Sequence, residues 1–558
     1  MSSVVSFDVR SRARGHDGAK VLAGLALASC AIIALPLAGL ALALFSGADA
    51  QVWEHLVQTV LPRYALNSLV LALAVGVGVA VIGTACAWCM AALDFPGRRW
   101  LEWGLVLPLA MPAYVVAYAY TDFLQFSGPV QTAIREITGL RAREYWFPEI
   151  RSLSGAIVLF VLVLFPYVYL PVRAAFVERS PSLYLAARLT GLSAAAAFRR
   201  AVLPLARPAI AAGVSLAVME TLADYGTVSY FALETFTTGI FKAWFSLGDR
   251  AAAAQLAMLL LGAVAAVIWL ERRSRGRARY QGAPVGSPRR QPVHGAAGFA
   301  LACACALPFL LGFVLPAVVL ARLAWRDVDL LDLKRYFGLI ANSMSAAGAA
   351  ALLCVVLALT LAYAVRLRPS PALRGAVRLA TLGYAVPGAV LAVAILVPLA
   401  RMDNVVSAFV EAHFGYRPGL LLTGSIAALL YAYVVRFLAL ALTNAEAGLS
   451  RITPSMDEAA RILGCGALRT VLRVHGPLLL RSLAIGMLLV FVDALKELPA
   501  TLAMRPFDFD TLATQAHNLA KDERLGEAAV PSLTLVAAGL LPVILLCRAL
   551  REGRGSAR

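Results

Sequence analysis

Charge is scarce in this chain. Of 558 residues, 15% are Asp, Glu, Lys or Arg, while 61% are apolar. A soluble chain carries about a quarter charged residues. At this length so few charges could not cover the surface of a water-soluble fold. The scarcity excludes a soluble enzyme, a disordered chain and a fibrous protein. Catalytic signatures are missing too. The sequence has no Gly-x4-Gly-Lys-[Ser/Thr] phosphate loop, no His-Glu-x-x-His and no Gly-x-Ser-x-Gly. Its six His (His16, His55, His294, His413, His475, His517) are dispersed without zinc spacing, and no metal site is assigned. The eight Cys lie in or at the ends of apolar stretches, apart from Cys465 in a polar loop. Cys86-Ala87-Trp88-Cys89 has redox spacing but no soluble βαβ context, so these thiols read as small packing residues.

What the chain has is long apolar runs. A helix needs about 20 apolar residues to cross the hydrocarbon core. Twelve stretches qualify, near 21–46, 66–92, 101–120, 152–177, 208–232, 251–271, 295–321, 338–365, 377–400, 419–444, 479–503 and 528–547. Backbone polar groups in lipid must be satisfied internally, so these are helices. The expected fold class is an all-α polytopic membrane protein. The first stretch follows Arg10, Arg12, Arg14 and Lys20 and is too long for a signal-peptide core, so it reads as a retained helix. Net charge is +18. With the N-terminus inside, the inner segments hold roughly twice as many Lys and Arg as the outer ones. The basic balance therefore reports orientation, with both termini cytoplasmic, and needs no nucleic acid.

The segment Arg272–His294 holds seven Arg, three Pro and three Gly and reads as an inner linker. It divides a tail (1–20), a first six-helix domain (21–271), a second (295–550) and a final tail (551–558). The halves repeat. Asn67-Ser68 recurs as Asn342-Ser343 and Pro112 as Pro387, each at an offset of 275. Pro181, Gly191 and Pro204 recur as Pro454, Gly464 and Pro477, each at an offset of 273. Both halves start on one side, so this is a parallel repeat about the membrane normal. Farther on, Phe236-Thr237-Thr238 aligns with Phe509-Asp510-Thr511, and Asp249 with Asp522. The outer cluster Lys521-Asp522-Glu523-Arg524 reads either as a solvated turn or as a contact for an external protein.

Each half carries a long inner loop between its fourth and fifth spans, at 178–207 and 445–478. Ser180 and Thr453 are N-cap candidates, each followed by Pro at the first helical position. Small residues come next, Ala186-Ala187 and Ala459-Ala460. Gly191 and Gly464 then permit a sharp turn, and a second helix runs to Pro204 or Pro477. A short capped helix held outside the membrane suits docking into a groove of a cytoplasmic partner.

Glu458-Ala459-Ala460, three residues, Gly464, nine residues, then Val474-His475-Gly476-Pro477 closely resembles the EAA signature of ABC importer permeases, Glu-Ala-Ala-x3-Gly-x9-Ile-x-Leu-Pro. The first half matches at Ala186, Ala187, Gly191, Ala201 and Leu203-Pro204. It departs at Leu185, where Glu is usual, and the second half departs at Gly476, where Leu is usual. The resemblance covers nearly the whole chain, as a fused pair of permease domains. The stretches Glu220–Phe231, Lys496–Leu502 and Arg505–Ala513 look most like ferric-iron permeases. Fused thiamine and phosphonate permeases look related, and polyamine is a further candidate cargo. The resemblance implies that Ala186, Ala187, Gly191, Pro204, Asp457, Glu458, Ala459, Ala460, Gly464 and Pro477 form coupling helices. These would dock an ABC ATPase homodimer that carries ATP and Mg, leaving this chain without a cofactor. It also implies a periplasmic solute-binding protein as the outer partner, and the bacterial inner membrane as the location.

Charges within a span are costly, about 2.5–3.5 kcal/mol each on insertion scales. Glu220 and Asp224 in the fifth span match Asp493 and Glu497 in the eleventh, each pair spaced i, i+4 on one helix face. Tyr225 and Lys496 lie beside them. These residues either line a cation path or hold the spans together. Their oxygens suit a hard cation such as ferric iron. A competing reading is a proton-coupled secondary transporter using the four acids. Asp94-Phe95-Pro96-Gly97-Arg98-Arg99 resembles a major-facilitator loop, but the matching loop 366–374 lacks it.

Overall fold

In the computed structural model of the chain, the described residues are 9–43, 50–141, 144–275, 290–327, 329, 332–463 and 467–555. Among them, eleven helices are long and apolar enough to cross a membrane. A twelfth is a bent pair, Arg98–Ala110 with Ala113–Thr138, turned by 96°. Strand structure among the described residues is confined to a parallel pairing of Leu93–Asp94 with Gln291–Pro292. The all-α polytopic reading holds, and so does the repeat.

The repeat is visible in backbone detail. Ser152 and Ser425, again at the 273 offset, cap the fourth and tenth spans by accepting from Gly155 N and Ala428 N. Pro112 and Pro387 break the third and ninth spans identically. Each follows a short 3-10 turn, Leu107–Ala110 and Thr381–Ala385, and each precedes a new helix. The residues before them, Met111 and Val386, are extended, because a proline ring excludes its neighbour from helical geometry. This is why the third span is bent.

The fifth and eleventh spans are Ala194–Ala223 and Arg473–Lys496, not 208–232 and 479–503. Hydropathy alone continues past the point where the backbone turns. At the other end, the helix does not stop at proline. A π-turn at Phe198–Val202, matched at Val471–His475, carries it through Pro204 and Pro477. Proline has no N–H to give the carbonyl four residues back, and the wider π-turn re-pairs the backbone through Leu203 N to Phe198 O and Gly476 N to Val471 O.

The chain forms two compact units. One comprises Met1–Phe45 with Ile340–Asp510, the other Ser46–Leu339 with Thr511–Arg558. These differ from the chain halves expected from the repeat. In the first unit, the first span packs on Pro371–Ala380 and Gly388–Phe414. Gly39 lies close to Pro398 there, and Tyr431 OH donates to Ile32 O at 2.5 Å. In the second unit, the seventh span, Gly295–Arg326, packs beside residues of the first half. Gly312 sits against Leu162 O, and Tyr120 OH donates to Leu311 O at 2.8 Å. Repetition in sequence records how a chain was built, whereas packing follows whichever apolar face is open.

Inside each unit the fourth-type and fifth-type spans touch through glycine. A Cβ on Gly213 would lie 2.6 Å from Tyr167 O and 2.7 Å from Val168 Cα. Its counterpart Gly486 meets Ala441, the repeat equivalent of Val168, at 3.4 Å. Lipid gives helices little hydrophobic reason to associate, so close backbone approach through small residues supplies the packing.

Candidate functional site

The two inner arms differ. In the first half the fourth span continues as one helix, Pro166–Leu189, so Ser180 is not an N-cap and Pro181 is helical. The reason lies in packing on Trp88. Its ring meets Phe176 at 5.5 Å, Tyr184 at 5.3 Å and Phe198 at 4.9 Å, binding two turns of that helix and the π-turn together. Ala186 is exposed, Ala187 is half-buried and Gly191 turns the chain with φ +88°. That left-handed value suits glycine, which has no Cβ to clash. Pro204 lies in the first turn of the helix Leu203–Ala223, within the fifth span.

In the second half the tenth span ends at Leu449, and a separate helix, Pro454–Ile462, follows Thr453 as expected. Arg366, at the inner end of the eighth span, donates to Leu449 O at 3.0 Å and Ile452 O at 3.1 Å. It thereby ties the end of the tenth span to the turn that follows it. The first half has Ala91 at this place and cannot do so. Glu458 and Ala459 are exposed and Ala460 is buried. Asp457 lies in the same helix. Pro477 lies in the first turn of the helix Gly476–Lys496, within the eleventh span, and Gly464 lies outside the described residues. Leu189 is 89% exposed, Ile462 85% and Leu463 82%. Leu189 and Ile462 are repeat equivalents. Tyr363, the counterpart of Trp88, hydrogen-bonds His475 in the second π-turn at 2.7 Å.

The intramembrane acids are not paired on one helix face. The fifth span ends at Ala223 and the eleventh at Lys496. Glu220 and Asp493 lie in those helices, half-buried, while Asp224 and Glu497 lie just beyond, in extended backbone. Each then begins a short return helix. Asp224 Oδ1 accepts from Thr227 N at 2.9 Å and Val228 N at 3.3 Å, capping Gly226–Tyr230. Glu497 Oε1 accepts from Ala500 N at 2.9 Å, capping Pro499–Met504. A carboxylate at a helix N-terminus meets free N–H groups and the positive end of the dipole.

The two caps sit in different electrostatic settings. Glu497 is 6% exposed and ion-paired with Arg436 at 3.3 Å. Gly388 makes room for that pair, since a Cβ there would lie 2.5 Å from Glu497 Oε1. Asp224 is half-buried, and no ion pair to it occurs among the described residues. Tyr225 stacks on Phe241 at 3.9 Å and lies 5.9 Å from the His517 ring. His517 hydrogen-bonds Tyr118 at 2.8 Å, and Tyr118 packs on Tyr230 at 4.7 Å. Burial holds the His517 imidazole down to about 4, in the short helix Leu512–Lys521. Sequence pattern gives no sign of this aromatic cluster. Arg436 carries a signal of its own in the sequence, since a lone Arg inside an apolar span marks function or pairing.

Two expectations shift. Asn67 Nδ2 donates to Glu234 O at 2.9 Å and Asn342 Nδ2 to Asp510 O at 3.0 Å, so Glu234 pairs with Asp510 at an offset of 276. The capping boxes Thr235–Thr238 and Thr511–Thr514 keep that offset. The outer segments therefore align at 276 rather than 273, and Phe236-Thr237-Thr238 does not match Phe509-Asp510-Thr511. Glu523, in the outer charge cluster, is bound by Arg151 at 2.7 and 2.9 Å. The major-facilitator-like loop also has another role. Arg98 and Arg173 flank Glu102 in a buried ion triad, and Arg98 Nη1 also donates to Met90 O at 2.9 Å.

These matched broken spans and inner arms have known relatives. Residues 80–278 and again 354–549 match the family described as binding-protein-dependent transport system inner membrane component. The chain belongs to this family. A relative spanning both halves is the Fe(3+)-transport system permease protein FbpB 2 of Haemophilus influenzae, 26% identical over 86% of this chain and 88% of its own length. The sulfate permease CysT of Salmonella typhimurium is 26% identical over 36% of this chain and 70% of its own length. The molybdenum permease ModB of Escherichia coli is 28% identical over 34% and 85%. Members of this family are transport components that depend on a binding protein, not catalysts, and the secondary-transporter reading gives way to that membership.

Proposed function

We propose that this chain is the membrane channel of an ATP-driven importer in a bacterial cytoplasmic membrane, carrying ferric iron. Both termini lie in the cytoplasm, as the excess of inner Lys and Arg requires. An ATPase homodimer docks at the inner arms and holds ATP and Mg. A periplasmic solute-binding protein delivers cargo outside. The observation that carries this reading is the pair of arms ending in exposed apolar side chains, Leu189 and Ile462-Leu463. Exposed apolar side chains at equivalent places on both polar arms suit contact with a partner protein. Closure of the ATPases on ATP would pull both arms, and the π-turns at Phe198–Val202 and Val471–His475 join each arm to the span it moves.

Charge and coverage support ferric iron as the cargo. The relative that spans both halves is named for Fe(3+), whereas the sulfate and molybdenum relatives match about a third of the chain. Glu220, Asp224 and Asp493 would repel an oxyanion and attract a hard cation, for which carboxylate oxygen is a suitable ligand. Their contact with a passing cation must be weak, since cargo has to leave. Reconstituted vesicles test the reading. Ferric iron on its binding protein should enter only with the ATPase and ATP, and a proton gradient alone should drive nothing. Uptake of molybdate or sulfate instead would reject the iron assignment and leave the ABC assignment standing.

A further inference from the structure

The two inner arms are repeat equivalents, yet independent features separate them. The first arm is an unbroken continuation of the fourth span, strapped by Trp88 to Phe176, Tyr184 and Phe198. The second is a separate helix after a short turn, Ser450–Thr453, and the carbonyls at Leu449 and Ile452 accept from Arg366. The second arm also shows an exposed carboxylate, Glu458, where the first has Leu185. Finally, it ends in two adjacent exposed apolar residues, Ile462 and Leu463, where the first offers Leu189 followed by Thr190.

Resting on the reading of these arms as ATPase contacts, we propose that they engage the partner unequally. The arm Thr453–Leu463 holds the ATPase. The arm ending at Gly191 is a stiff strut that transmits its motion. The surface that receives the second arm is an apolar shelf for Ile462 and Leu463 flanked by a basic side chain facing Glu458. The first arm takes an apolar contact alone. The turn at Ser450–Thr453 interrupts the helical ladder between the tenth span and this arm, so the arm can seat on the partner without straining the span. Pro181 removes one hydrogen bond from the ladder of the first arm, but Trp88 bridges Phe176 and Tyr184 on either side of it, so displacement at Leu189 passes to the fourth span.

The test uses the full chain in nanodiscs and its purified cognate ATP-binding subunit. Ile462→Asp with Leu463→Asp, and separately Glu458→Lys, should lower retained ATPase by ~10-fold or more, the size expected of a contact that dominates an interface. Leu189→Asp should lower it by no more than about twofold while reducing cargo moved per ATP hydrolysed. Leu185→Glu should raise retention several-fold, a gain that misfolding cannot produce. Equal losses from the two arms, or no gain from Leu185→Glu, would overturn the inequality and leave the proposed function intact. Unchanged retention in every variant of a correctly inserted chain would instead reject the coupling role itself.

Discussion

Asp224 and Glu497 occupy equivalent places and perform the same local task, accepting backbone N–H groups at the start of a return helix. Their surroundings give them different consequences. Glu497 neutralises Arg436 in a buried pair, so its charge is committed to the fold. Asp224 has no such counter-ion among the described residues; its partners are Thr227 and Val228. Glu497→Gln leaves a buried guanidinium uncompensated and should destabilise the protein by about 3–5 kcal/mol, read as a lower melting temperature in detergent. Asp224→Asn keeps an oxygen to cap the helix, so stability should hold while cation uptake falls ~10-fold, one lost charge interaction of about 1.4 kcal/mol. A drop in melting temperature for Asp224→Asn with unchanged uptake would make it a structural residue like its counterpart.

Among the elements, proline and glycine carry most of the architecture. Pro112 and Pro387 bend two spans, and Pro204 and Pro477 force the π-turns between arm and membrane. Gly213 and Gly486 bring the fifth-type span against its neighbour. Gly213→Val would place new methyl groups against Tyr167 O and Val168 Cα, which are backbone atoms that cannot step aside. The expected cost is about 1–3 kcal/mol from overpacking, with ATPase binding retained but transport slowed. Melting temperature and transport rate measured together check this, and a variant unchanged in both would show that the spans are not packed this closely. Much of this level is legible in the sequence. The paired prolines stand out at offsets of 275 and 273 because proline acts on its own backbone, wherever the chain runs. The helix break after Glu220 and Asp493 is not legible. Spacing of i, i+4 implies a shared face only while the helix continues, and here Asp224 and Glu497 stand past its end, each capping the return helix.

For the whole molecule, the uneven distribution of Lys and Arg between alternate segments predicts an orientation with both termini in the cytoplasm. A cysteine introduced at Lys20 should be labelled by an impermeant maleimide only in inverted vesicles. One introduced at Glu144, in a segment assigned outside, should react in intact cells. Labelling of both from one side would refute the twelve-span topology.

The amino-acid sequence by itself determined what each residue dictates locally or through counting: the membrane class, the duplicated six-helix plan, the proline breaks and the inner arms with their Glu458-Ala459-Ala460 signature. Only the tertiary structure decided which spans share a compact unit, which acid meets Arg436, and why one arm stays helical while the other breaks. Those outcomes depend on groups far apart in the chain, Trp88 on Tyr184 or Arg366 on Ile452. Such contacts leave no periodic trace in sequence, because they arise from the shape and charge of surfaces that exist only after the helices have packed.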